Sequence, residues 1–142
     1  MTYIARADIE AIYGTDNLLM LVPDGMNADT VINRAIAHAC GEADLYIGKQ
    51  VSVPLTIVPD GLKAALIDLA FYRIAITHDR LTEEISERAK AARRILENIG
   101  SGKISLGAAE PVSSQEQTGP NGASSPDGAY FGARPRLFGR DA

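Results

Sequence analysis

Apolar residues recur every three to four positions along the first hundred residues, and this spacing predicts α-helices. A first helix is predicted from about Arg6 to Tyr13, with Ile9, Ile12 and Tyr13 on its inner side. A short turn of helix over residues 16–21, capped by Thr15, is predicted to follow. The chain therefore opens with two small helical pieces.

A second long helix is predicted from Asn27 or Asp29, both suitable caps, to a stop at Gly48. One stripe of this helix is apolar and comprises Ile32, Ala35, Ile36, Ala39, Ala43, Tyr46 and Ile47. The connection KQVSVPLTIVPDG alternates apolar and polar residues around Pro54, which favours an ordered extended loop.

A third long helix, from about Pro59 to Thr77, is apolar nearly all round, and such a helix is expected to be enclosed. It is either the central helix of the bundle or buries one side against a neighbouring copy. Its charged residues Asp68 and Arg73 are each expected to meet a partner at a helix or subunit boundary, because an unpaired buried charge is costly.

A fourth long helix is predicted from the cap Thr82 to about Ile99, and it is amphipathic. Four-residue spacing predicts ion pairs from Glu84 to Arg88 and from Arg93 to Glu97. The segment GSGKISLG, residues 100–107, contains glycines and a lysine, but its spacing differs from that of a phosphate-binding loop. It is interpreted as a helix stop.

The chain is expected to have three parts. Residues 1–106 form a helical domain, and residues 107–129 form a disordered tether because turn formers and small polar residues dominate there. Residues 130–142, YFGARPRLFGRDA, regain aromatic and arginine side chains. These residue types dominate interface hot spots, so the segment is predicted to dock on a partner. The predicted partner-binding residues are Tyr130, Phe131, Arg134, Arg136, Leu137, Phe138 and Arg140.

Composition excludes several function classes. The formal net charge of −4 argues against non-specific nucleic-acid binding, and the single cysteine, Cys40, argues against a disulfide framework. No signal peptide opens the chain, and the longest apolar segment is too short to span a bilayer, so a soluble protein is expected. His38 and Cys40 point in different directions on one helix, and His78 lies elsewhere. No metal site, cofactor or catalytic activity is therefore expected.

Several segments in order resemble the Mu-like prophage family of small head-to-tail joining proteins. They are YIARADIEAIYG, KQVSVPL, ILENIGSGKISLG and RLFGRD, with VPL (53–55), GKISLG (102–107) and the spacing of Arg136, Phe138 and Arg140 being the most specific. The chain departs from the family at Ala5, where a helix-capping hydroxyl is usual, and at its end, since family members often continue further.

The resemblance implies an all-α bundle of four or five helices, of the phage head–tail adaptor type. It implies a structural virion protein at the neck, forming a ring, expected to be a dodecamer, beneath the portal. Its partners would be the portal protein, a tail-side neck or tail-completion protein and copies of itself. DNA would pass through the lumen without specific binding, and no membrane would be involved. The alternatives are a cytoplasmic helical binding module, such as a regulator or assembly chaperone, and an enzyme using Cys40 or a histidine.

Overall fold

The computed structural model describes residues 2–107. The predicted docking segment 130–142, and the predicted tether apart from Gly107, lie outside the described residues.

Five helices make up the described fold, and residues 2–107 contain no strand. The helices are α1 (Arg6–Tyr13), α2 (Thr15–Met20), α3 (Ala28–Ile47), α4 (Asp60–Thr77) and α5 (Glu83–Gly100). The predicted all-α fold, a small helical bundle, is therefore confirmed.

Side-chain caps fix where the two amphipathic helices begin. The Asn27 side chain accepts a hydrogen bond from the Thr30 N–H at 3.1 Å, and the Thr82 hydroxyl accepts one from the Ile85 N–H at 3.4 Å. Both caps agree with the prediction. The prediction that Thr15 caps the second helix is wrong: Gly14 occupies that position, with a positive φ of 85° that separates α1 from α2 without a longer loop.

Helix α4 is the centre of the bundle and packs mainly against α5 and α3. Its buried side chains are Leu62, Ala65, Leu66, Ile67, Leu69, Ala70, Phe71, Ile74 and Ala75. They cover most of the helix circumference, and elements of the same chain bury them. The first of the two predicted arrangements, a central helix, is therefore the one observed. No neighbouring copy is needed to explain its apolar composition.

The loop between α3 and α4 is held by the amino-terminal segment. Val51 and Leu55 are buried, and a cis peptide bond joins Val53 to Pro54. The Tyr3 hydroxyl accepts a hydrogen bond from the Leu55 N–H at 3.2 Å and donates one to the Asp44 carboxylate. The prediction of an ordered loop thus has support at Val51 and Leu55, whereas Val53 and Ile57, the other two apolar residues of the alternating pattern, are exposed.

One carboxylate, Glu42, ties the three long helices together. It accepts a hydrogen bond from Arg93 Nε at 2.8 Å and a longer one, 3.5 Å, from Arg73 Nη2. The Arg93 guanidinium also lies 5.0 Å from the centroid of the Tyr72 ring. The predicted pair between Arg93 and Glu97 is therefore wrong, because the half-buried Glu42 accepts from the Arg93 guanidinium instead.

The other predicted charge partners are present. Arg88 pairs with Glu84 at 2.8 Å, as predicted from their spacing. Asp68 accepts a hydrogen bond from the Tyr13 hydroxyl at 2.6 Å, so Asp68 and Arg73 of the apolar helix α4 both have partners in the same chain. Among residues 2–107, no helix combines the length and apolarity needed to cross a bilayer.

Candidate interaction surface

Exposed apolar side chains gather where α1 and α2 approach the start of α5. Met20 is 67% exposed and Ile12 is 54% exposed, and Leu19 and Leu81 are also exposed. The prediction that Ile12 faces the core is wrong, because the eight-residue α1 fully buries only Ile9 and leaves Ile12 at the edge. Clustered exposed apolar side chains of this kind mark interaction sites.

Ile12 and Met20 line a concave surface, which we call the α1–α5 groove. It has a volume of about 430 Å³ and is formed by α1, α2, the middle of α4 and the first turns of α5. Its apolar lining includes Ile12, Tyr13, Met20, Phe71 and Ile85, and its charged lining comprises Arg80, Glu84 and Arg88. Both α1 and α2, which are separated by Gly14, contribute residues to this lining.

Two stacked aromatic rings form the floor of the groove. The Tyr13 and Phe71 ring centroids lie 3.9 Å apart, and the ring planes differ by 5°. Phe71 is 5% exposed, so this ring belongs to the core, whereas Tyr13 is half-buried. The floor is therefore a rigid apolar platform supported from beneath by the core.

The Tyr13 hydroxyl is held in its protonated form. Burial, and then the hydrogen bond to Asp68, raise the pKa of Tyr13 to about 12. Arg88 lies 5.5 Å from the centroid of the Tyr13 ring and is itself paired with Glu84. Since the hydroxyl is already a donor to Asp68 and Arg88 is paired with Glu84, these two polar groups do not need a ligand, whereas the exposed Arg80 lines the groove without an ion pair within residues 2–107.

The residues predicted to bind a partner are in the carboxyl-terminal segment of the sequence. Tyr130, Phe131, Arg134, Arg136, Leu137, Phe138 and Arg140 lie outside the described residues. Their proposed role therefore stays a prediction.

Cys40, His38 and His78, which have metal-binding or nucleophilic side chains, do not all converge on one site within residues 2–107. Cys40 is buried, and its sulfur accepts the Tyr3 N–H at 3.3 Å. His38 is exposed on α3, and His78 caps the end of α4. Among residues 2–107, no group of three or more His, Cys, Asp or Glu side chains is placed to hold a metal ion. The absence of catalysis stays a prediction.

The groove itself was not predicted from the sequence. Its signals were present: Ile12, Leu19 and Met20 are more apolar side chains than two such short helices can bury, and Asp68 interrupts an apolar helix. These features alone do not predict a groove, because the groove forms only when segments more than fifty residues apart, such as those of Tyr13 and Asp68, pack together.

Comparison with known proteins identifies the sequence family of this chain. Residues 3–124 match the sequence model of the family described as Bacteriophage Mu, Gp36. This chain belongs to the Mu Gp36 family. It is also similar to gene product J of Escherichia phage Mu, with 29% identity over 126 residues, which cover 86% of this chain and 85% of that protein. The predicted relationship to Mu-like phage proteins is thus confirmed, and the α1–α5 groove is a feature of a phage protein.

Proposed function

We propose that this Mu Gp36-family protein is a head–tail connector, a non-enzymatic adaptor that forms a ring under the portal and joins the DNA-filled head to the tail. Membership of a phage family, together with the resemblance of the segments around VPL and GKISLG to head-to-tail joining proteins, supports this role. Its proposed place is the neck of the virion, between the portal protein and a tail-side neck or tail-completion protein.

The observation that carries the proposal is the α1–α5 groove. A concave surface is filled by a different, protruding surface rather than by itself, so a contact between copies through it is heterologous. Heterologous contacts that close by rotation produce rings. The exposed Ile12 and Met20 at its edge supply apolar area for such a contact. The net charge of −4 suits a ring through which DNA passes without specific binding.

The copy number in the virion tests the proposed place. Quantitative mass spectrometry of purified virions is expected to give as many copies of this protein as of portal protein. Absence from virions would instead support a cytoplasmic regulator or assembly chaperone and would refute the connector role.

A groove variant tests the proposed ring contact. Met20→Asp places a charge on the exposed edge of the groove and is expected to prevent ring assembly, observed by electron microscopy, while leaving the helix content unchanged. Leu45→Asp is the matched control, since Leu45 is 76% exposed and lies on α3, outside the groove. Rings that persist in Met20→Asp would mean that the ring contact lies elsewhere.

Phe138→Ala tests the proposed docking of residues 130–142 on the portal. A weaker interaction with purified portal is expected, because aromatic anchors contribute most of the affinity at such contacts.

A truncation tests the role of the whole carboxyl-terminal arm. The described core residues lie between Tyr3 and Leu106, so deleting residues 107–142 is expected to preserve the fold and to abolish head–tail joining. Tailed infectious particles made with the truncated protein would contradict this assignment.

A further inference from the structure

A second cavity lies where the start of α3 meets the end of α4, and we call it the basic cavity. Its volume is about 210 Å³. Arg34, His38, Arg73 and His78 lie around it, and Met26 and Ile74 supply apolar surface. Helical spacing explains the arrangement: Arg34 and His38 are four residues apart on α3, and Arg73 and Thr77 are four apart on α4.

The basic cavity carries positive charge that the described residues balance only in part, since Arg73 contacts Glu42. No aspartate or glutamate among residues 2–107 lines it. Arg34 is exposed and has no ion pair within the described residues. His38 and His78 add ring N–H donors whichever tautomer they adopt. The cavity therefore presents hydrogen-bond donors and charge to an acceptor that the described body does not supply.

Arg73 is only partly satisfied. Its contact with Glu42 is 3.5 Å long, whereas Arg93 holds the same carboxylate at 2.8 Å. Its Nε is buried and has no hydrogen-bond partner within the described residues. A guanidinium in this state gains more from a second carboxylate than one that is already paired on both edges.

We propose that the basic cavity binds an acidic side chain, presented by a short acidic and apolar segment of a partner protein. The small volume fits one side chain rather than a helix face. The carboxylate would pair with Arg34 and Arg73, and an adjacent apolar residue would cover Met26 and Ile74. This site is distinct from the α1–α5 groove, and the proposal does not depend on the connector function.

The test is a titration of the isotope-labelled full chain, followed by NMR, with a peptide of alternating leucine and glutamate. The peptide is expected to shift the signals of Arg34, His38 and Thr77 at the cavity. A peptide with glutamine in place of glutamate is expected to bind at least tenfold more weakly. Absence of shifts at the cavity up to millimolar peptide would overturn the proposal, and inorganic phosphate binding as tightly as the peptide would overturn its carboxylate specificity.

Arg34→Gln supplies the decisive variant because Arg34 is exposed and its replacement is expected to leave the helix content unchanged. A tenfold or greater loss of peptide affinity is expected. Arg94→Gln is the matched control, since Arg94 is an exposed arginine of α5 outside the cavity. Equal losses in both variants would show general charge attraction and overturn the site. A change of oligomeric state in Arg34→Gln alone would place a second copy there and overturn the choice of partner.

Discussion

The α1–α5 groove and the basic cavity both border the carboxyl-terminal half of α4, yet they differ in what they leave unsatisfied. In the groove, Tyr13 donates to Asp68 and Arg88 pairs with Glu84, and the exposed Ile12 and Met20 supply apolar surface beside Arg80. In the basic cavity, Arg34 has no ion pair within residues 2–107 and Arg73 shares Glu42 with Arg93. Binding in the groove is therefore expected to depend more on apolar area and to weaken less with salt than binding in the cavity.

The largest effect is expected from the floor of the groove. Phe71→Ala removes a buried ring and its stacking partner for Tyr13, and is expected to lower the free energy of unfolding by about 3–5 kcal/mol. Urea unfolding followed by circular dichroism measures this change. The exposed edge supplies the control: Met20→Ser is expected to stay within about 0.5 kcal/mol of the parent protein. Equal losses of unfolding free energy in Phe71→Ala and Met20→Ser would contradict the description of a buried floor and an exposed edge.

The second-largest effect is expected from Glu42, the carboxylate that contacts Arg73 of the basic cavity. Glu42→Gln weakens its bonds to Arg93 and Arg73, and is expected to cost about 1–3 kcal/mol of unfolding free energy. It also removes the only acidic partner of Arg73 within residues 2–107, so the affinity for the acidic peptide is expected to rise. Glu84→Gln, in an exposed pair, is the control and is expected to change stability by less than about 0.5 kcal/mol. Unchanged peptide affinity in Glu42→Gln would argue against a role for Arg73 in binding.

A smaller effect is expected from the hydroxyl group at the groove floor. Tyr13→Phe keeps the stacked ring and removes only the hydrogen bond to Asp68, which is expected to cost about 1.5 kcal/mol in a urea titration. Tyr46→Phe is the matched control because the Tyr46 hydroxyl makes no hydrogen bond within the described residues. A similar loss in both variants would exclude a specific contribution from the Tyr13–Asp68 bond.

The same hydroxyl predicts a loss of stability at alkaline pH. The pKa of Tyr13 rises from 10.0 in the unfolded chain to about 12 in the fold, so the folded state favours the protonated hydroxyl. Its contribution is fully present below pH 10 and is lost as the pH rises toward 12. Unfolding measured from pH 8 to pH 12 is expected to show a shallower decline for Tyr13→Phe than for the parent protein. Parallel declines would refute this contribution. A residual decline is expected from Tyr3, whose pKa burial also raises to about 12.

The smallest effect concerns the turn that separates the two sites. Asp79 has a positive φ of 55°, and it stands between His78 of the basic cavity and Arg80 of the groove. Asp79→Gly relieves the left-handed strain and removes a negative charge from the end of α4, so it is expected to stabilise the fold by about 0.5–1 kcal/mol in thermal unfolding. Destabilisation would mean that the Asp79 side chain supports the turn.

Local sequence signals predicted the helices well because their physical causes are local. Asn27 and Thr82 cap α3 and α5 through hydrogen bonds three residues ahead, and apolar spacing marked the buried faces of the long helices α3 and α5, but not that of the short α1, where Ile12 is exposed. The prediction that Thr15 caps α2 was wrong because the neighbouring Gly14 occupies the cap position, where the chain changes direction without a side-chain hydrogen bond. In such short connections the backbone conformation of glycine outweighs the capping preference of a hydroxyl.

The sites were less predictable because they join distant parts of the chain. The spacing of Arg93 and Glu97 suggested a local pair, but the bundle places Glu42 beside Arg93 from 51 residues away. The basic cavity likewise requires the start of α3 to face the end of α4, and the groove requires Tyr13 to stack on Phe71. Spacing along one helix specifies a face but does not specify which element covers it.

Tyr3 has a consequence for how the protein forms during synthesis. Its backbone N–H reaches Cys40, and its hydroxyl joins Asp44 to Leu55, so Tyr3 depends on partners that follow it by 37 to 52 residues. While the ribosome extends the nascent chain through these residues, the segment around Tyr3 lacks its native partners. This segment is therefore expected to acquire its native contacts only after α3 and the following loop have left the exit tunnel.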